Sequence, residues 1–196
     1  MNEASRAYPV TLTGELTIPP NRWMWLVKWL LAIPHYFVLY FLGIAAGVVW
    51  IIAWFAILFT AKYPKGLFDF SLGVLRWGWR VGFYSYNALG TDKYPPFSLQ
   101  PDPSYPADLV VEYPERLSRG LIWVKWWLLA IPHYIILYFL GIAAGVMALV
   151  IGLILLFTGK YPQDLFKFMM GVNRWSYRVS AYASLMRDEY PPFHFD

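Results

Sequence analysis

The sequence predicts an all-α membrane protein made of two tandem, pseudo-symmetric units, and three observations carry that expectation. The chain has 196 residues, 59% hydrophobic, 20% aromatic and only 14% charged, whereas a soluble domain of this length carries about 25% charge. Two long stretches hold no Asp, Glu, Lys or Arg: 33 residues between Lys28 and Lys62, and 34 between Lys125 and Lys160. Residues 30–48, LLAIPHYFVLYFLGIAAGV, return 98 positions later as residues 128–146, LLAIPHYIILYFLGIAAGV, identical at 17 of 19 positions. The duplicated part is the most apolar part, so the repeated object is a membrane-embedded unit. The first unit covers residues 1–99 and the second 105–196, joined by the linker Gln100-Pro101-Asp102-Pro103-Ser104.

Each unit opens on a short alternating segment after Tyr-Pro, at Tyr8-Pro9 and at Tyr105-Pro106. Alternation of period two predicts a strand, stopped by Pro19-Pro20 in one unit and Pro114 in the other. The charge-free stretch follows. As one straight helix it would measure roughly 50 Å against a hydrocarbon core of about 30 Å. It therefore reads either as a short transmembrane or re-entrant helical hairpin, or as an interfacial helix passing through Pro34 into one long tilted crossing. A hairpin bent at Gly43-Ile44-Ala45-Ala46-Gly47 puts Arg22, Lys28, Lys62, Lys65, Arg76 and Arg80 on one side. That is the positive-inside pattern, so charge placement favours the hairpin, with both termini and every loop cytoplasmic.

The next segment is an amphipathic interfacial helix. Asp69, Arg76, Arg80 and Asn87 fall at i, i+7, i+11 and i+18, one stripe of a helical surface. Lys167, Arg174 and Arg178 repeat the stripe. A basic stripe on an aromatic body suits a helix lying at the headgroups, its guanidinium groups toward phosphate. Each unit then closes on an extended Tyr-Pro-Pro-Phe, at residues 94–97 and 190–193, because proline fixes φ and restrains its predecessor.

The copies differ in one place. Lys28 aligns with Lys125 at an offset of 97, but Leu30 aligns with Leu128 at 98. One extra residue near Trp126-Trp127 either rotates the following helix by about 100° or is absorbed as a π-bulge. A local helix irregularity is expected there.

Several function classes are excluded or weakened. Zero Cys removes disulfides, thiolate catalysis, iron–sulfur clusters and thiolate zinc sites. The chain start lacks a basic region leading into an apolar one, so no cleaved signal peptide is expected and the first hydrophobic segment serves as the insertion signal. HExxH, GxSxG, P-loop and GxGxxG patterns are missing, and no catalytic or metal site is expected. The carboxylates Asp69, Asp92, Asp164 and Asp188 read mostly as loop residues that do not recur at one position of both units. No acidic residue lies within the hydrophobic segments, which weakens an ion-coupled transporter.

The ordered motifs Ala-Ile-Pro-His-Tyr (32–36, 130–134), Leu-Phe-Thr-(Ala/Gly)-Lys-Tyr-Pro (58–64, 156–162), Leu-Phe-x-Phe (67–70, 165–168), Gly-Val-x-Arg-Trp (73–77, 171–175) and Tyr-Pro-Pro-Phe resemble a bacterial membrane family, common in actinobacteria, known as domain of unknown function 4389. The resemblance covers nearly the whole chain. It implies a multi-pass protein of the bacterial plasma membrane with tandem units, and no assigned activity.

Candidate site residues follow from chemistry. Ionisable groups inside a membrane segment default to a functional hypothesis, which singles out His35 and His133. They suit haem ligation, proton relay, or a structural bond to a carbonyl freed by the preceding proline. The structural use is preferred, and no cofactor is expected. Arg76, Arg80, Arg174 and Arg178, with Lys62 and Lys160, are lipid-headgroup candidates, since Arg offers a fork that fits phosphate. Gly43 and Gly47, like Gly141 and Gly145, form GxxxG, for close packing inside the unit or across a dimer face. Gly73 and Gly171 open room for a headgroup or another helix.

The functional expectation is a non-catalytic accessory or structural subunit of a larger membrane complex. Its partners are membrane phospholipid and other membrane subunits or a second copy, with no nucleic acid. The alternative is a lipid-binding or lipid-transport protein using the groove between the repeats.

Overall fold

A computed structural model describes residues 8–16 and 20–195. Pro19, expected to help end the first strand, lies outside the described residues. The elements run β1 (Val10–Gly14), α1 (Lys28–Thr60), α2 (Lys65–Tyr84), β2 (Ala107–Val111), α3 (Ile131–Thr158) and α4 (Gln163–Ala183). Single 3₁₀ turns at Met24–Leu26 and Leu121–Trp123 lead into the long helices. The described residues are mostly helical, with one two-stranded sheet among them.

The hairpin expectation is overturned. α1 is one continuous helix of 33 residues that passes through both Pro34 and the Gly43–Gly47 stretch, and α3 does the same past Gly141 and Gly145. A glycine costs about 1 kcal/mol inside a helix, but a bend there would break backbone hydrogen bonds of the ladder. Ile and the paired alanines between the glycines keep the ladder closed. At Pro34, which cannot donate to the preceding turn, the phenol of Tyr94 supplies a bond to the Leu31 carbonyl at 3.0 Å. Tyr190 does the same for Leu129 at 3.1 Å.

The expected irregularity in unit two is present. Lys125–Leu129 is a π-turn, after which the chain continues into α3. α1 and the segment Lys125–Thr158 are both long and apolar enough to cross a membrane. Both long helices end on a left-handed residue, Ala61 at φ 57° and Gly159 at φ 67°.

Only a narrow stripe of each long helix is covered, such as Lys28, Ala32, His35, Ala53 and Ile57 on α1. Most of the remaining surface, including Phe37, Tyr40, Ile44, Val48, Ile52 and Phe59, is exposed carbon. The 3₁₀ turn that leads into α1 meets the second half of α3, where Trp25 packs on Gly152. The end of α1 meets the start of the second unit, where Trp54 and Trp123 lie edge to face at 4.6 Å. The two long helices therefore run antiparallel.

α2 and α4 supply much of the core, together with both strands and the covered stripes of α1 and α3. They meet where Trp79 and Tyr177, 98 positions apart in sequence, approach with ring centroids at 5.6 Å. The strands cross between units: β2 packs on α2 and β1 on α4. Their antiparallel register pairs Leu12 with Leu109 at its centre and Val10 with Val111 and Gly14 with Ala107 at its ends. Further bonds tie the units together, among them Trp79 Nε1 to the Thr13 carbonyl at 2.8 Å and Asn173 Nδ2 to the Asn87 carbonyl at 2.8 Å.

Candidate functional site

Each unit builds a histidine enclosed by aromatic rings. His35 comes from α1, Trp77 from α2, and Tyr94 and Phe97 from the Tyr-Pro-Pro-Phe segment. Trp77 Nε1 donates to His35 Nδ1 at 3.0 Å, Phe97 stacks at 4.0 Å between centroids, and Tyr94 lies at 4.8 Å. Unit two repeats this with Trp175 at 2.9 Å, Phe193 at 4.1 Å and Tyr190 at 4.8 Å. An indole N–H can only donate, so Nδ1 is the acceptor and the proton of the neutral ring sits on Nε2. Both histidines are fully buried, and neither Nε2 has a hydrogen-bond partner among the described residues.

This tautomer speaks against haem ligation. A lone pair at Nε2 would require moving the proton to Nδ1 and losing the tryptophan bond. The expected bond from histidine to a proline-freed carbonyl is also corrected: each histidine accepts from tryptophan at Nδ1 and its Nε2 meets no carbonyl among the described residues, while Tyr94 and Tyr190 donate to the carbonyls three residues before each proline.

About two turns earlier on the same helix face lies a buried lysine that the sequence did not single out as a site. Lys28 Nζ meets Asp92 at 2.9 Å and the Thr91 carbonyl at 2.7 Å, over the Tyr84 ring at 4.9 Å. Lys125 Nζ meets Asp188 at 2.8 Å and the Arg187 carbonyl at 2.9 Å, over the Tyr182 ring at 5.6 Å. Burial pushes the phenols of Tyr84 and Tyr182 up to about 12, so each presents a neutral ring to its lysine near pH 7. The other carboxylate oxygen accepts from the lead-in backbone, Asn21 N–H at 2.5 Å and Ser118 N–H at 2.6 Å.

The expectation that the carboxylates do not recur is thus wrong for Asp92 and Asp188. Each stands two residues before Tyr-Pro-Pro-Phe, and that Asp-x-Tyr-Pro-Pro-Phe spacing was the available signal. Among the described residues there is no cluster of His, Cys, Asp and Glu able to hold a metal.

Arg76 and Arg80 do not face lipid. Arg76 Nε lies 2.9 Å from Asp108 and donates to the Leu109 carbonyl at 3.1 Å. Arg80, fully buried, reaches Asp108 and the Ser98 carbonyl, both at 3.4 Å. In unit two, Arg174 Nε donates to the Leu12 carbonyl and Arg178 to the His194 carbonyl, both at 3.5 Å, and Arg178 lies over the Tyr8 ring at 5.5 Å. The physical reason is the exchanged strand: backbone carbonyls of β1, β2 and the closing segments cover the stripe, so the arginines bind protein. Lys62 and Lys160 are exposed at the ends of the long helices.

The glycines separate into two kinds. A Cβ at Gly43, Gly47, Gly141 or Gly145 would meet nothing within 4 Å, so these do not serve packing inside the unit. At Gly73 it would lie 2.7 Å from Leu99 Cβ, and at Gly171 2.6 Å from Phe195 Cβ. Those two make room for the closing segments.

One further feature breaks the likeness of the units. A cleft of about 470 Å³ at their junction is lined by Trp50, Ile51, Trp54, Trp123, Trp126 and Trp127. The extra residue of unit two is part of its wall.

Comparison with known proteins finds no matching curated protein and no matching solved structure. One family model, described as a domain of unknown function, DUF4389, matches residues 22–98 and again 121–194. Both segments contain a complete lysine–aspartate and histidine–tryptophan set, so the matched copies are also the repeated sites. The chain belongs to the DUF4389 family and carries two tandem copies of its domain.

Proposed function

We propose that this chain is a non-catalytic integral membrane protein of the bacterial plasma membrane, a structural subunit that packs against other membrane proteins and annular phospholipid. The observation that carries this reading is the outward surface of α1 and α3, where exposed side chains are apolar over most of the circumference. Charges that fall within the body are paired inward, as for Lys28, Lys125, Arg76 and Arg80, which is how ionisable groups are tolerated in a bilayer. The vacant surface at Gly43 and Gly47 suits a neighbouring helix.

In this reading the units are related by a pseudo-two-fold axis. Its support is the strand register centred on the equivalent residues Leu12 and Leu109 and the meeting of Trp79 with Tyr177. α1 and α3 then cross in opposite directions, tilted because a helix of 33 residues exceeds the hydrocarbon thickness. Arg22 and Lys62 lie on opposite faces, in place of the all-cytoplasmic arrangement. The native chain has no Cys, so single cysteines at Gly66 and Lys93 test the topology with an impermeant maleimide. Labelling from opposite sides is expected; labelling of both from one side ends the crossing reading. Purification from native membranes in mild detergent should bring partner subunits in fixed ratio, and a chain isolated alone argues against the subunit role. The second reading, a lipid-handling protein, is favoured by the tryptophan cleft at the junction of the two units.

A further inference from the structure

We propose that the tryptophan cleft is a specific phospholipid site, present once per chain, that takes one acyl chain between α1 and the π-turn and holds the lipid phosphate at Arg119. The proposal rests on the membrane reading above and names the site through which lipid is held.

The cleft's chemistry selects an apolar occupant. Its volume of about 470 Å³ falls in the range of ligand pockets, about 300–1,000 Å³. Its six lining residues are five tryptophans and an isoleucine. Three of the indole N–H groups are turned to the protein's own carbonyls: Trp50 to Ala183 at 3.1 Å, Trp54 to Ile122 at 3.3 Å and Trp127 to Trp123 at 2.6 Å. The surface facing the cleft is almost wholly carbon, and no charged side chain lines it. A headgroup would find little to bind inside, whereas a hydrocarbon chain loses nothing by leaving the bilayer for these walls.

The rim supplies the charge. Arg119 stands four residues before Trp123 and is anchored by Nη2 to the Phe59 carbonyl at 2.9 Å. Phe59 is five residues beyond Trp54 on α1, about 7.5 Å along the helix axis. Arg119 is exposed and Lys62 lies exposed just past the same helix end. The guanidinium has five donors and one is used in anchoring, which leaves a fork for a phosphate oxygen pair. Apolar cleft and cation are therefore spaced as the tail and headgroup of one lipid.

The opposite junction shows why the site is single. Arg22 occupies the position equivalent to Arg119, packed over Gly159. There the cleft is filled: Trp25 covers Gly152, where a Cβ would lie 2.8 Å from the indole. Ala148 and Leu149 stand where Trp50 and Ile51 stand in the other half. The same cation without the cleft provides an internal control.

The test is native mass spectrometry of the full chain in mild detergent, titrated with phosphatidylglycerol of one acyl composition. One lipid retained per chain is expected. Ile51→Trp, which fills the cleft, and Arg119→Gln should each lower the retained fraction at least five-fold, while Arg22→Gln leaves it unchanged; circular dichroism checks folding. Retention by Ile51→Trp equal to the parent overturns the site, as does an equal loss in Arg22→Gln and Arg119→Gln. Alkaline carbonate extraction separates the two levels. A chain that stays in the membrane pellet while the variants match the parent loses only this proposal, and a chain released by carbonate loses the membrane reading with it.

Discussion

Lys28 and His35 are seven residues apart, while Lys125 and His133 are eight, yet both pairs reach the same partners. The lysine–aspartate distances are 2.9 and 2.8 Å, and the tryptophan–histidine distances are 3.0 and 2.9 Å. In unit one an ordinary α-helix joins the two anchors; in unit two the π-turn Lys125–Leu129 does. The helix has been wound wider so that neither anchor moves. An extra residue carried as regular α-helix would rotate one anchor by about 100° relative to the other. The comparison teaches that buried, charged and hydrogen-bonded contacts at both ends outweigh the local preference for α-helix between them.

Removal of an anchor is expected to have the largest effect. Asp188→Ala leaves Lys125 buried without its counter-charge, and such losses cost about 3–5 kcal/mol. A fall of that size in detergent-solubilised stability is expected, matched by Asp92→Ala, with much of it restored when Lys125→Met is added to Asp188→Ala. If Asp188→Ala unfolds at the parent's temperature, the anchor does not hold the π-turn. Next in size are Trp77→Phe and Trp175→Phe, which keep a ring but remove the donor to histidine. Each should cost about 1–3 kcal/mol. Nitrogen NMR of the parent should show both imidazoles protonated at Nε2; an Nδ1–H signal from either ring contradicts the assigned bond.

A smaller effect compares the two helix ends. Ala61 holds a left-handed conformation at φ 57° where unit two has Gly159, a strain of about 1–2 kcal/mol for a residue with a Cβ. Ala61→Gly should raise stability by about 1 kcal/mol. Gly159→Ala should lower it by at least as much, because its Cβ would press on Arg22; thermal melts read both signs. Deleting Trp127 restores the seven-residue spacing and should convert the π-turn to α-helix with a change below about 1 kcal/mol. Faster amide exchange across residues 125–130 in the deletion would show that the π-turn was the better fit.

Much of this was legible locally. The repeat, the amphipathic helices and the opening strands follow from periodicity, and the irregularity near Trp126 follows from two offsets that differ by one. The hairpin differs from the observed helix for a definite physical reason. Counting Arg76, Arg80 and Lys28 toward the positive-inside rule treats them as solvated loop charges, but they are buried in ion pairs. Charge that is neutralised by Asp92 or Asp108 carries little information about which side of a membrane it faces. Asp92 and Asp188 were passed over because a lone carboxylate in a loop has no periodicity; its partner lies 63 or 64 residues away.

By itself the sequence determined the two copies, their apolar helices and the place where the copies cease to match, because each rests on contacts or patterns within a few residues. Only the tertiary structure decided which way the helices run and where the polar residues point. β1 pairs with β2 across 97 positions and each strand packs on the other unit's helix. That exchange turns an arginine stripe inward, onto backbone carbonyls of the other unit's strand. Non-local pairing of this kind depends on which distant surfaces bury each other best, a competition that no window of the sequence contains.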